Sequence, residues 1–206
     1  MKPASLLPIM LLLGACAREP AASTAAPSPA TGAAPTPEVA VAQPATGSLR
    51  VDLPAEGTIG FAGFGPAKFG ASAKAVRMAW GGDLGDAKPD APGGCYYLIP
   101  AAHARQGEQI GFMIEGDKFV RIDVASNRIV APGGGRIGMN EAELQALYNG
   151  KLQSTPHKYV DGGHYLSWVP ASAGQGKLVF ETDENGKVSR WRIGLPPPVD
   201  YVEGCS

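Results

Sequence analysis

The sequence predicts an α+β domain of two tandem repeats, each a short helix plus antiparallel strands, packed as one domain behind a disordered tether. Three observations predict it. The phrase "FGASAKAVRMAWGG" at residues 69–82 returns as "IGMNEAELQALYNG" at 137–150. Each phrase is followed by a Gly-Gly turn opening an aromatic-rich strand, "GGCYYLIP" (93–100) and "GGHYLSWVP" (162–170). Each strand is then followed by a β-hairpin, "IGFMIEGDKFVRIDV" (110–124) and "LVFETDENGKVSRWRI" (178–193). A single unit of this size buries too little surface to stand alone, so the second copy completes the core.

The chain opens with Met1-Lys2 and the apolar run "LLPIMLLLGA". That run is shorter than the roughly 20 residues a helix needs to span a bilayer, so it reads as a signal peptide. Leu13-Gly14-Ala15-Cys16 resembles the bacterial lipobox, although Ala or Ser is more usual where Gly14 stands. The resemblance implies cleavage before Cys16, diacylation of its thiol and acylation of the new amino terminus. Several acyl chains anchor durably where one is marginal. Ala17, rather than Asp, at the second mature position implies the outer membrane by the sorting rule of enteric bacteria. The competing reading is an ordinary secretory signal with an incidental cysteine.

Four segments follow: signal peptide 1–15, lipidated tether 16–48, first repeat 49–130, and second repeat with C-terminal tail 131–206. The tether is almost entirely Ala, Pro, Thr, Ser and Gly. Such a segment cannot bury enough apolar surface to offset the entropy of ordering its backbone. It is expected to act as a spacer that holds the domain clear of the headgroups.

Within the repeats, Ser72 caps "AKAVRMAW" and Asn140 caps "EAELQALY". Asn140 and Glu143 have capping-box spacing. Val76, Ala79 and Trp80 lie at i, i+3 and i+4 and form an apolar face, as do Leu144, Leu147 and Tyr148. Both helices end at Gly or Asn, which tolerate a left-handed cap. The second hairpin is expected to turn at Asn185-Gly186. Lys118 and Arg121 match Lys187 and Arg190, and His164 takes the place of Cys95.

This order of helix, strand and "DxxGKV" hairpin resembles the small outer-membrane assembly lipoproteins and the tandem-repeat β-lactamase inhibitory proteins. The likeness implies helices on one sheet face and a concave open face that binds macromolecules. It carries over no individual binding residue. A narrower likeness joins "PHKYVDGGHYLSW" and the ending "PPPVDYVEGCS" to gammaproteobacterial envelope lipoproteins labelled lectins, which implies a glycan ligand.

Cys95 and Cys205 are expected to pair, because the periplasmic side of the envelope is oxidising. A reactive thiol is the competing reading. His157, Asp161 and His164 lack the spacing of a metal site, so no metal is expected. There is no Gly-x-Ser-x-Gly elbow. The glycine-rich "APGGGRIG" (131–138) lacks the lysine of a phosphate loop. Asp183 and Glu184 sit in a turn, so an enzyme is not expected, nor any cofactor. The formal net charge of -1 supplies no basic field for nucleic acid.

The expected function is therefore non-catalytic binding of an envelope protein, in the manner of an inhibitor or assembly factor. The alternative is lectin-like recognition of a cell-wall or surface glycan, with the membrane reached through the lipid anchor. Candidate ligand-binding residues are Tyr96, Tyr97, Tyr165, Trp168, Arg190, Trp191 and Arg192. If the Trp191 face of its strand is covered by helices, the Arg190 and Arg192 face is the exposed one.

Overall fold

Among the described residues, helices α1 (Ala73–Trp80) and α2 (Glu141–Leu147), both capped, set the helical layer of an α+β fold. The computed structural model describes residues 58–101 and 110–205; the signal peptide, Cys16 and the tether lie outside them. Helix α1 begins where the Ser72 side chain accepts from the Ala75 N–H, and ends at Gly81 in the left-handed region. Helix α2 carries the full capping box, with Asn140 and Glu143 each bonding the other's backbone N–H. It is followed by Asn149 and Gly150, both at positive φ. Val76 and Leu144, one on each helix, are fully buried.

A seven-stranded sheet lies beneath them. Its strands are β4 (Tyr96–Leu98), β5 (Ile110–Glu115), β6 (Lys118–Val124), β7 (Gln153–Pro156), β8 (His164–Trp168), β9 (Lys177–Thr182) and β10 (Val188–Gly194). The spatial order is β4-β5-β6-β10-β9-β8-β7, with every pairing antiparallel. The hairpins β5–β6 and β9–β10 therefore meet at the centre. A small three-stranded sheet of β1 (Ile59–Gly60), β2 (Gly63–Phe64) and β3 (Ala67–Lys68) precedes α1. Its Phe64 rests on Phe112 and Trp80.

Side chains alternate across the strands. Ile110, Phe112 and Ile114, Phe119, Ile122 and Val124, Leu178 and Phe180, and Trp191 and Ile193 join the helices in one apolar core. Fully burying a side chain of this size contributes about 1.5–3 kcal/mol. Trp191 is 1 % exposed.

The two halves make the same hydrogen bonds at corresponding positions. Gly70 donates to Phe119 O, and Phe119 donates to Ala71 O. Gly138 likewise donates to Val188 O, and Val188 to Met139 O. Isolated bridges join Ser72 to Lys118 and Asn140 to Lys187. Gly94 closes a turn on Ala91 O as Gly163 does on Val160 O. Trp80 packs on Phe112 at 5.6 Å, and Tyr148 packs on Phe180 at 5.7 Å. Both hairpins carry an irregularity in register, between Met113 and Ile114 and between Val188 and Arg190.

The register corrects one expected match. Tyr97 pairs with Met113 and Leu98 with Phe112, while Tyr165 pairs with Glu181 and Leu166 with Phe180. Tyr97 therefore corresponds to Tyr165, and His164 corresponds to Tyr96 rather than to Cys95. The second hairpin also differs from expectation. Its turn runs Asp183–Gly186, with Gly186 donating to Asp183 O and the Asp183 carboxylate accepting from the Asn185 and Lys187 N–H groups. Gly186 alone takes the left-handed conformation there. The two-residue form, with both central residues at positive φ, belongs instead to Gly116-Asp117 of the first hairpin.

Candidate functional site: the charged face of the sheet

The face opposite the helices carries Tyr97, Arg121, Asp123, Glu181, Arg190 and Arg192. Their strands place them there because each alternates with a core residue. Asp123 and Arg192 sit opposite one another across the central β6–β10 pairing. Arg121 grips Asp123 with two nitrogens, Nε at 2.8 Å from Oδ2 and Nη2 at 2.5 Å from Oδ1. The Tyr97 hydroxyl donates to the same carboxylate at 2.9 Å. Arg192 donates through Nη1 to Glu181 and stands over the Tyr165 ring at 5.6 Å. Burial pushes the Arg192 guanidinium down to about 10, with Arg121 adding to the effect. It remains a cation at neutral pH.

His157 lies at one side of this cluster. Its ring stacks on Tyr165, centroids 4.4 Å apart. Nδ1 accepts from the backbone N–H groups of Tyr159 and Val160 at 3.1 and 3.2 Å. The proton therefore sits on Nε2, which faces Glu181 at 3.4 Å. Burial, then Arg192 and Arg190, lower the His157 pKa.

The C-terminal segment crosses this face. After β10 the chain turns through a 3-10 helix, Pro198–Asp200, and then runs as a strap to Cys205. The Arg192 Nε donates to Val199 O at 2.6 Å. Arg121 Nη1 donates to Pro198 O at 2.9 Å and to Tyr201 O at 2.6 Å. Lys177 pairs with Asp200 at 2.6 Å. Glu203 takes the Tyr159 hydroxyl and the Lys158 ammonium, contacts that hold its carboxyl below the usual range. Cys205 forms a disulfide with Cys95, closing a separation of 110 residues.

A cleft of about 550 Å³ opens beside the strap, lined by Tyr97, Arg121, Asp123, Arg190 and Arg192 from the sheet. A second of about 440 Å³ is lined by Cys95, Glu115 and Lys158 together with the strap. Val202, Glu203, Gly204 and Cys205 wall both. This arrangement can donate hydrogen bonds from guanidinium and ammonium groups to carbonyl and carboxylate oxygens.

The candidate binding residues therefore separate. Tyr97, Tyr165 and Arg190 lie on the charged face, and the Arg190 side chain is 64 % exposed. Tyr96 and Trp168 pack half-buried on the core side, where Trp168 meets Phe61 at 4.6 Å. Trp191 is core, and Arg192, on the charged face but 4 % exposed, is an anchor for the strap. Neither presents a free surface, because helices cover one and the strap covers the other. Arg121, Asp123, Glu181, His157 and Lys177 were not among the candidates. The match of Arg121 with Arg190 was the available signal for the first of them. Among the described residues no group of His, Cys, Asp and Glu is placed to hold a metal. No helix among them is long and apolar enough to cross a membrane.

No family model and no curated protein matches the chain. It is similar to an extracellular protein containing an SCP domain from Bacillus anthracis str. Ames, at 13 % identity and TM-score 0.39, over 62 % of this chain and 44 % of that one. It is also similar to a DUF4309 family protein from Bacillus subtilis, at 13 % identity and TM-score 0.36, over 60 % of this chain and 78 % of that one. The chain thus spans less than half the length of the first. Scores this low carry no argument about what the chain does.

Proposed function

We propose that the chain is a lipid-anchored protein of the bacterial outer membrane whose folded domain is a non-catalytic binding module for another envelope protein. The lipobox-like Leu13-Gly14-Ala15-Cys16 supports the anchor, and the Cys95–Cys205 disulfide suits an oxidising compartment. The observation that carries the binding reading is the division of the sheet. One face is committed to the core, and the other presents a charged floor with an open cleft.

The same division favours protein over glycan. A sugar ring is recognised on a flat exposed aromatic flanked by polar groups, and Trp168 and Trp191 both lie on the core side. On the charged face, Tyr97 is engaged by Asp123 and Tyr165 by His157.

The domain is also read as a tandem duplication. Corresponding bonds at Gly70 and Gly138, bridges at Ser72 and Asn140, and bulged hairpins on both sides of the β6–β10 seam support it. The shared sheet is what two such units gain by joining.

The test is retention of envelope proteins on the immobilised lipidated chain, eluted first with free sugars and then with salt. A defined protein released by salt, and lost when Arg190 is changed to Glu, supports the reading. Release by sugar alone would replace it with the glycan reading. Fractionation of Cys16→Ser tests the anchor: the wild type should pellet with membranes and the variant should not.

A further inference from the structure

The strap meets the sheet as a bound peptide would. Its main-chain carbonyls at Pro198, Val199 and Tyr201 are taken by two buried arginines, which are 3 % and 4 % exposed. Its carboxylates at Asp200 and Glu203 are taken by Lys177, Lys158 and the Tyr159 hydroxyl. The strap's own Val199 side chain is fully buried. Gly204 passes so close to Tyr97 that a Cβ there would lie 3.0 Å from the hydroxyl. The two clefts share a wall, residues 202–205, with the sheet residues Tyr97, Arg121, Asp123, Arg190 and Arg192 in the first and Cys95, Glu115 and Lys158 in the second.

We propose that the face spanned by Arg121, Arg192, Lys177 and Lys158 is a binding site for an acidic segment of a partner protein, and that residues 198–205 cover it as an internal occupant while Cys95 and Cys205 are joined. Carbonyl recognition by Arg121 and Arg192 is indifferent to side-chain identity, and the strap meets it as a 3-10 turn, Pro198–Asp200, followed by Tyr201. The flanking Lys158, Lys177 and exposed Arg190 select acidic side chains. The disulfide holds the strap at high effective concentration, so a partner competes poorly until it is opened. Opening takes two electrons from a dithiol. Its thiolate attacks one sulfur to give a mixed disulfide, its second thiol displaces the chain, and Cys95 and Cys205 are left as thiols beside an oxidised donor.

This deepens the protein-binding reading and rests on it. The probe is a labelled synthetic peptide of strap sequence, Pro-Val-Asp-Tyr-Val-Glu-Gly, with blocked ends. It is titrated against the full lipidated chain in detergent, oxidised, reduced with dithiothreitol, and as Cys205→Ser, with circular dichroism recorded on each. The opened forms should stay folded and bind about tenfold or more tightly than the oxidised chain, because residues 201–205, no longer tied at both ends, compete at a lower effective concentration. A peptide with Lys in place of both acids should not bind. Equal affinity in all three forms, or no binding to a folded opened form, overturns the proposal. Loss of fold on opening also overturns it, because the strap would then be part of the core. Tyr159→Phe, with the disulfide intact, loosens only the Glu203 end and should give an intermediate affinity. If the envelope partner is still retained on the column while the strap peptide fails, the assignment of this face falls and the binding reading stands.

Discussion

Arg192 reaches across the face of the sheet to the carbonyl of Val199, 2.6 Å from its Nε. Through this bond and its contact with Glu181, one residue of β10 ties the strap to the centre of the domain. Arg192→Ala removes both and leaves the buried Glu181 carboxylate without its nearest cation. Deleting one member of a buried pair costs about 3–5 kcal/mol. Urea unfolding should show a large drop in midpoint for Arg192→Ala and a smaller one for Arg192→Lys. An unchanged midpoint for Arg192→Ala would contradict the anchoring role.

Cys95→Ser opens a loop spanning a separation of 110 residues. In the chain-entropy model that closure is worth about 4–5 kcal/mol. The melting temperature of the variant should fall by many degrees against the oxidised wild type and match the wild type in dithiothreitol. A drop of the same size with reductant present in both samples would point to lost packing instead.

The His157 pKa is lowered in the fold, so the unfolded chain binds the extra proton first. Neutral His157 contributes stability that is fully present above its unfolded value of about 6.5 and is lost as pH falls through the folded value. Protonation would put a hydrogen on Nδ1, against the Tyr159 and Val160 N–H groups. His157→Asn keeps an acceptor for those groups and does not titrate. Its unfolding midpoint should change less than that of the wild type between pH 7.5 and 5. Parallel pH profiles would exclude His157 as a source of the acid sensitivity.

Among the described residues, the buried Trp191 Nε1–H has no hydrogen-bond partner. Trp191→Ala opens a core cavity and should cost about 3–5 kcal/mol. Trp191→Phe keeps most of the ring volume and removes the unpartnered donor, so its cost should be clearly smaller. Chemical denaturation of the two variants checks the order, and a Phe variant as unstable as the Ala variant would mean that the indole nitrogen is satisfied in solution.

Much of the helical and hairpin framework was legible because it is written in local chemistry. Ser72, Asn140, Gly81 and Asn149 mark helix ends by their own side chains and backbone freedom. The aromatic strands were legible for similar reasons, whereas the pairing of Cys95 with Cys205 followed from an expected oxidising compartment. The one-residue offset between Gly94-Cys95 and Gly163-His164 was not, because two glycines can be aligned without revealing which face the next side chain takes. Sheet register decides that, and a slip of one exchanges core and surface. The path of the strap was also hidden. "PPPVDYVEGCS" contains nothing that says it will cross the charged face, since its partners, Arg121, Arg192 and Lys177, lie on three different strands. That crossing is why Arg192, expected on an exposed face, is buried.

The most direct test of a binding face on the sheet is photo-crosslinking in the intact envelope, with the photoreactive residue placed at position 190 or at position 78. Arg190 lies on the charged face, and Met78 lies exposed on α1 on the opposite side. The account predicts a discrete adduct with another envelope protein from position 190 and none from position 78. An adduct from position 78 alone, or none from either, would contradict it.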